Sequence, residues 1–251
     1  MTTHNTVIMG MGKTGIACLR FLVKQGVAVR IMDNRNVPSY LAIVRQEFPQ
    51  IPYCIGHFDP DWLATAQEII ISPGLSLDEP ALSEAKAKYI PIISEIELFT
   101  RYVNAPIVAI TGSNGKSTVT TLVGDMAKQA GWRVAVGGNL GTPALDLLHS
   151  PAPDLYVLEL SSFQLETTYS LKPKTAVVLN ISEDHMDRYA TLDEYMAAKR
   201  RIYDNADIVV INADDANVVS MLQSHHKHLS FSLHPHRGNF TITTAKSGTP
   251  C

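Results

Sequence analysis

Residues 107–118 constrain this chain more than any other stretch. An apolar run, Ile107 to Ile110, leads into Thr111, Gly112, Ser113, Asn114, Gly115, Lys116, Ser117 and Thr118, and a segment of helical period follows. A glycine turn between a buried strand and a helix, with Lys-Ser at the helix start, is the arrangement of a phosphate-binding loop. Backbone amides cradle the phosphates, Lys116 neutralises the β and γ oxygens, and the Ser117 hydroxyl faces Mg²⁺. The loop departs from the usual G-x-x-x-x-G-K-[ST] because only two residues separate Gly112 from Gly115. A second metal contact is expected from Glu159, near the C-terminal end of the apolar strand Leu155 to Leu160.

The rest of the chain agrees with an α/β fold. Short apolar runs alternate with helical segments: strands at Val7 to Met9, Val27 to Met32 and Glu68 to Ser72, then at Ile107 to Ile110, Arg133 to Val136, Leu155 to Leu160, Thr175 to Asn180 and Ile208 to Ile211. Ser94 and Glu97 form an S-x-x-E helix start. A proline cannot continue a helix, so Asn104-Ala-Pro106 sets the expected boundary between domains 1–104 and 105–251. From Leu229 onward the alternating stretches, such as Phe240 to Thr244, read as antiparallel strands. With 45% hydrophobic residues, 18% charged and a net charge of −3, the 251-residue chain reads as an ordinary folded soluble protein, with no electrostatic footprint for nucleic acid or an anionic membrane. Its start has no cationic segment before an apolar run that breaks at Gly10, so neither a signal peptide nor a spanning helix is expected, and a cytoplasmic location is. Cys18, Cys54 and Cys251 are too few and too scattered for a disulfide framework.

Gly10, Gly12 and Gly15 lie between a strand and a helix, and Asp33 ends the next strand. That spacing fits a dinucleotide fingerprint, in which amides at a helix N-terminus approach a diphosphate and the acidic residue binds ribose hydroxyls. From the residues alone the ligand is NAD, another diphosphate, or none.

Two further residues stand out. Thr191 and Glu194 start a helix expected to run from Leu192 to about Asp204, whose apolar face collects Leu192, Tyr195, Met196, Ile202 and Tyr203. Lys199 falls in the middle of that stripe, so it either snorkels to water or has a chemical reason to be buried. His185 follows the strand that ends at Asn180, on the side where open α/β sheets bind ligands. The five histidines from His225 to His236 lack the spacing of a metal site.

Together these stretches resemble the Mur ligases. The resemblance is carried by residues 109–122, by Gly137-Gly-Asn-Leu-Gly141, by residues 158–166, by residues 180–189 and by residues 197–203. Ser161-Ser-Phe-Gln164 favours the member that adds D-glutamate over those adding alanine, diaminopimelate or a dipeptide. The resemblance implies a Rossmann-like first domain for a UDP substrate, followed by a P-loop ATPase-type domain. It implies an ATP- and Mg²⁺-dependent ligase that joins D-glutamate to UDP-N-acetylmuramoyl-L-alanine through an acyl phosphate, as a cytoplasmic monomer without nucleic acid or membrane partners. The fingerprint then holds UDP, with no nicotinamide: Lys13 and Thr14 meet the diphosphate, Asp33, Asn34 and Arg35 surround the uridine, and Ser72, Gly74, Asn139 and Ser161 contact the sugar nucleotide. Lys116, Glu159, His185 and Lys199 are the implied catalytic set, and Ser117, Glu159, His185 and Lys199, the last carbamylated by CO₂, the implied metal set. Folylpolyglutamate synthase shares the phosphate loop but lacks such a first domain. An NAD-dependent oxidoreductase leaves Lys116 idle. Mur ligases of this kind are expected to continue into a third, amino-acid-binding domain, so a chain or fragment ending at Cys251 is expected to bind nucleotide without turning over.

Overall fold

The computed structural model describes residues 5–139, 141–148 and 151–242. The chain divides into two compact units, Met1–Val103 with Pro143–Leu148, and Asn104–Thr142 with His149–Cys251.

In the first unit the elements are β1 (Asn5–Met9), α1 (Lys13–Lys24), β2 (Ala28–Asp33), α2 (Leu41–Glu47), β3 (Tyr53–Ile55), α3 (Pro60–Ala64), β4 (Glu68–Ile71), α4 (Ser83–Ala87), β5 (Ile92–Ile93) and α5 (Glu95–Thr100). The strands form one parallel sheet in the order β3-β2-β1-β4-β5. Parallel strands are buried on both faces and so are apolar throughout, as Ile69, Ile70 and Ile71 are. One face packs Val7, Met9, Met32, Ile69 and Ile71 against Phe58, Leu63 and Leu82. Strand order reverses between β1 and β4, which opens a crevice at their C-terminal ends, and the glycine loop after β1 lies there. Ser94 starts α5 as expected, its hydroxyl accepting the Glu97 amide at 3.0 Å.

In the second unit the elements are β6 (Ile107–Thr111), α6 (Lys116–Gln129), β7 (Val134–Gly138), β8 (Leu155–Glu159), α7 (Ser162–Glu166), β9 (Thr175–Val178), α8 (Leu192–Arg200), β10 (Ile208–Asn212), α9 (Ala216–Ser220), β11 (His228–Ser232) and β12 (Phe240–Thr241). The sheet runs β12-β11-β10-β9-β6-β8-β7. Its reversal point lies at β6, which has β9 on one side and β8 on the other, so the phosphate loop and the ends of β8 and β9 share one rim.

Two expectations need correcting. The stretch after Leu229 is not antiparallel: β11 pairs parallel with β10, and β12 parallel with β11 through Phe231 with Phe240 and Ser232 with Thr241. β12 lies at the edge of the sheet with β11 beside it, and both are partly exposed, so polar residues interrupt their apolar runs as they do in an antiparallel strand with one face in water. Residues 243–244 of that stretch, Leu140 and Cys251 lie outside the described residues. The helix expected to reach Asp204 is α-helical only to Arg200 and tightens into a 3₁₀ turn over Arg201–Tyr203. No helix of the described residues is long and apolar enough to cross a membrane.

Candidate functional site

The two loops sit in different units. In the first, Gly15 packs directly under the loop: a Cβ there would strike the Gly10 carbonyl, so the helix can approach the strand only with glycine. The loop is fixed from the side by Asp33. Its buried carboxylate accepts the Met11 amide at 2.7 Å, the Arg35 amide at 2.9 Å, and the Arg35 guanidinium at 2.8 and 2.7 Å. Burial works against ionisation, yet the Arg35 and Met11 hydrogen bonds outweigh it and hold this carboxyl below the usual range. Asp33 therefore holds the loop and orients Arg35. Lys13 and Thr14 begin α1, with Lys13 exposed, and Asn34 and Gly74 are exposed as well. The Ser72 hydroxyl lies beneath Gly10, buried and without a hydrogen-bond partner. An orphaned hydroxyl facing a glycine loop is a donor left for a ligand or a water.

In the second unit the phosphate loop is clasped from several directions. Gly112 has φ +153°, and a Cβ there would lie 3.1 Å from the Leu179 Cβ. Asn180, just past β9, accepts the Asn114 amide at 2.8 Å and donates to the Asn114 carbonyl at 3.0 Å. The Ser113 hydroxyl donates to the Ser182 carbonyl at 3.0 Å and lies 3.1 Å from the Tyr195 hydroxyl. Thr118 is exposed in the first turn of α6.

Five of the expected residues gather around this loop. Ser117 donates to Glu159 at 2.8 Å, and Asn139 donates to the other Glu159 oxygen at 2.7 Å. Glu159 is only 2% exposed, and no ion pair reaches it among the described residues. Lys116 donates to the Gly112 carbonyl at 2.8 Å and to that of Ser113 at 2.9 Å. Lys199, 1% exposed, donates to the same Gly112 carbonyl at 3.0 Å and lies 4.6 Å from the Tyr195 ring centre. Two ammonium groups thus converge on one carbonyl oxygen. Burial, followed by the charge of Lys116, pushes Lys199 down to about 7.

His185 is placed less tightly. Its backbone is left-handed, φ +57°, a strained conformation for a residue other than glycine. Its ring packs 4.7 Å from Phe163 and lies 3.5 Å from the Asp184 carboxylate. Among the described residues no three His, Cys, Asp or Glu side chains form a ready metal cage, so His185 and Glu159 do not belong to one preformed set. The hydroxyl of Ser117 and the lone carboxylate of Glu159 nonetheless suit Mg²⁺, which takes hard oxygens, few carboxylates and several waters. Ser161 is occupied with capping α7, its hydroxyl accepting the Gln164 amide at 3.2 Å. Asn180, Ser182 and Tyr195 were not singled out as site residues, although Asn180 ends an apolar strand where a polar residue is a signal.

The chain is thus a pair of parallel α/β units, each with a glycine loop at its strand-order reversal, the second with a lysine, a hydroxyl and a buried carboxylate gathered at that loop. It belongs to the Mur ligase family: the MurD-like N-terminal domain of Mur ligases matches residues 4–94, and the Mur ligase middle domain matches residues 110–250. It is 54% identical over 228 residues to a UDP-N-acetylmuramoylalanine--D-glutamate ligase of Nitrosococcus oceani, which covers 91% of this chain and 50% of that protein. A protein of the same name from Pseudomonas syringae pv. syringae is 56% identical over 210 residues, 84% of this chain and 47% of its own length. The chain spans about half the length of the curated relatives it matches. Among solved structures, the fold is shared with the UDP-N-acetylmuramate:L-alanyl-gamma-D-glutamyl-meso-diaminopimelate ligase of Neisseria meningitides (TM-score 0.62, 17% identity, 98% of this chain and 83% of that one).

Proposed function

We propose that this chain carries the nucleotide-substrate and phosphate-handling parts of an ATP-dependent ligase that joins D-glutamate to UDP-N-acetylmuramoyl-L-alanine in peptidoglycan synthesis. The observation that carries the reading is the convergence of Lys116, Ser117, Glu159 and Lys199 on one loop, in a chain that shares 54% identity with the Nitrosococcus oceani ligase. Residues 1–104, completed by Pro143–Leu148, form the UDP-substrate domain, and the rest of residues 105–251 belong to the ATP domain. The substrate carboxylate attacks the γ-phosphorus of ATP, the bond to ADP breaks, and an acyl phosphate forms. The amine of D-glutamate then displaces phosphate from the acyl carbon.

The loop amides of residues 112–117 hold the phosphates, and Lys116 leaves the Gly112 and Ser113 carbonyls to follow the charge of the transferring group. Ser117 and Glu159 would hold Mg²⁺, with Asn139 orienting Glu159; the ion would neutralise charge on the β and γ oxygens. In the first unit, Lys13, Thr14 and Ser72 serve the diphosphate, Asn34 and the Asp33-oriented Arg35 serve the uridine, and Gly74 leaves room for the sugar nucleotide, which Ser161 also borders.

Lys199 acts as a carbamate. With its amine held near 7, a neutral fraction is present at physiological pH; the nitrogen lone pair bonds to CO₂, one proton leaves, and the carbamate oxygens, with His185, would hold a second metal ion. ¹³C NMR of the chain in ¹³C-bicarbonate tests this step: a carbamate resonance present in the wild type and in Arg200→Ala but absent from Lys199→Ala is expected, and no resonance at any pH up to 9 rules it out. For the whole reading, calorimetry should detect UDP and Mg-ATP as independent ligands of this chain. Binding of NADH in competition with UDP, or of neither nucleotide by the folded chain, would refute it.

A further inference from the structure

His185 keeps a left-handed backbone, which a residue with a side chain adopts only where its surroundings over-determine it. Its contact with Asp184 does little of this: the two side chains are 44% and 42% exposed, and a pair so open to water is screened. The turn itself is closed by the His185 carbonyl, which accepts the Arg188 amide at 2.9 Å and the Tyr189 amide at 3.1 Å. Side chains then fasten the turn to α7. Arg188 donates to Glu166 at 3.0 Å in a pair only 18% and 16% exposed, and its guanidinium lies 4.9 Å from the centre of the Phe163 ring. The same ring packs against His185 and stacks on Tyr189 at 5.8 Å. Phe163 is thus the common floor beneath three side chains of one turn.

We propose that Arg188 is the positioning residue of His185: paired with Glu166 and laid over Phe163, it locks the turn of residues 185–189 against α7 and keeps the imidazole in one orientation. That orientation sets the ring 6.4 Å from Tyr195, whose hydroxyl meets Ser113 of the phosphate loop. The proposal rests on the part given to His185 in the ligase reading. Phe163 and Glu166 stand three positions apart on α7 and so share a face. The helix is held still by the capping box of Ser161 and Gln164, and by Arg201, which donates to the Leu165 and Thr168 carbonyls at 2.8 and 2.9 Å. Residues 183–187, by contrast, belong to no helix or strand. An arginine suits the task because its flat guanidinium can pair with a carboxylate and lie on an aromatic face at once, which the compact ammonium of a lysine cannot do.

Side-chain NMR of this chain, free of nucleotide and metal, reads the imidazole directly. Its failure is therefore separate from a failure to bind UDP or Mg-ATP, which counts against the ligase reading itself. The wild type should show NOEs between the His185 and Phe163 rings, and the strong intraresidue amide–Hα NOE of a left-handed residue. Arg188→Ala should weaken the ring NOE at least fivefold and lose the amide–Hα signature. Arg188→Lys, which keeps the charge without the flat face, should keep less than half of the ring NOE, and it carries the test should the alanine variant not fold. Lys174→Ala breaks the exposed pair with Asp207 and should change neither signal. Circular dichroism verifies that each variant is folded. Three results overturn the proposal: both signatures intact in the folded Arg188 variants, an equal loss in Lys174→Ala, or changes spread evenly over the amides of the second unit, as general destabilisation produces.

Discussion

Glu95 offers the most quantitative test of the first unit. Its side chain is 1% exposed at the start of α5; one carboxylate oxygen accepts the Leu145 amide at 2.8 Å, and the other is buried with no hydrogen-bond partner. Burial raises this carboxyl from 4.5 to about 7, a rise that the Leu145 amide opposes and the nearby Asp146 reinforces. An acid whose proton is held more tightly in the folded state loses stability as pH climbs from the unfolded to the folded value. At about 1.4 kcal/mol per tenfold change in affinity, the interval from 4.5 to 7 corresponds to a loss of about 3 kcal/mol. For a unit of this size that is a fall in Tm of roughly 10 °C between pH 4.5 and 7.5. Glu95→Gln keeps an acceptor for Leu145 and removes the ionisation. Scanning calorimetry at intervals across that range should show a steep decline for the wild type and a flatter one for the variant, with the curves converging or crossing near neutrality. Cys18, also buried, is held well above 9, and Asp33 titrates below the range, so neither mimics the effect. Parallel curves for the two proteins would refute the reasoning.

Other outcomes follow from the same geometry. Lys116→Ala should weaken Mg-ATP binding at least tenfold in calorimetry while leaving UDP affinity unchanged, since the two loops lie in separate units. Gly112→Ala forces a side chain against Leu179 at φ +153° and should destabilise the second unit by roughly 1–3 kcal/mol in urea titrations, with loss of ATP binding. Arg35→Ala removes two of the four hydrogen bonds that hold Asp33 ionised, so UDP affinity should fall and the Asp33 carboxyl, followed by NMR, should titrate higher than in the wild type.

What the sequence disclosed was local. Both glycine loops, Ser94 and Thr191 as helix starts, and the place of Lys199 on the apolar stripe of α8 follow from patterns within about a dozen residues. What it concealed was long-range. Asn114 and Asn180 clasp each other across 66 positions, and nothing in either neighbourhood announces the pair. Fingerprint spacing reports where the Asp33 carboxylate sits and is silent on its engagement with Arg35 and the Met11 amide. The reading of the last strands failed for a related reason: exposure at a sheet edge imitates the alternation of an antiparallel ribbon.

The excursion of Pro143–Leu148 into the first unit bears on how the chain is made. Ala144, Leu145 and Leu147 of this segment are buried, and the Leu145 amide supplies the contact to Glu95. A ribosome that has released residue 103 has therefore not yet delivered the whole first unit; its last piece emerges some forty residues later, after α6 and β7. The usual sequence, in which the N-terminal domain folds while the next is being synthesised, is interrupted, and the two units must mature with overlapping schedules. A fragment ended at residue 104 would keep every strand of the first sheet yet leave Glu95 without its Leu145 partner, so ageing and proteolysis should find it before ligand does.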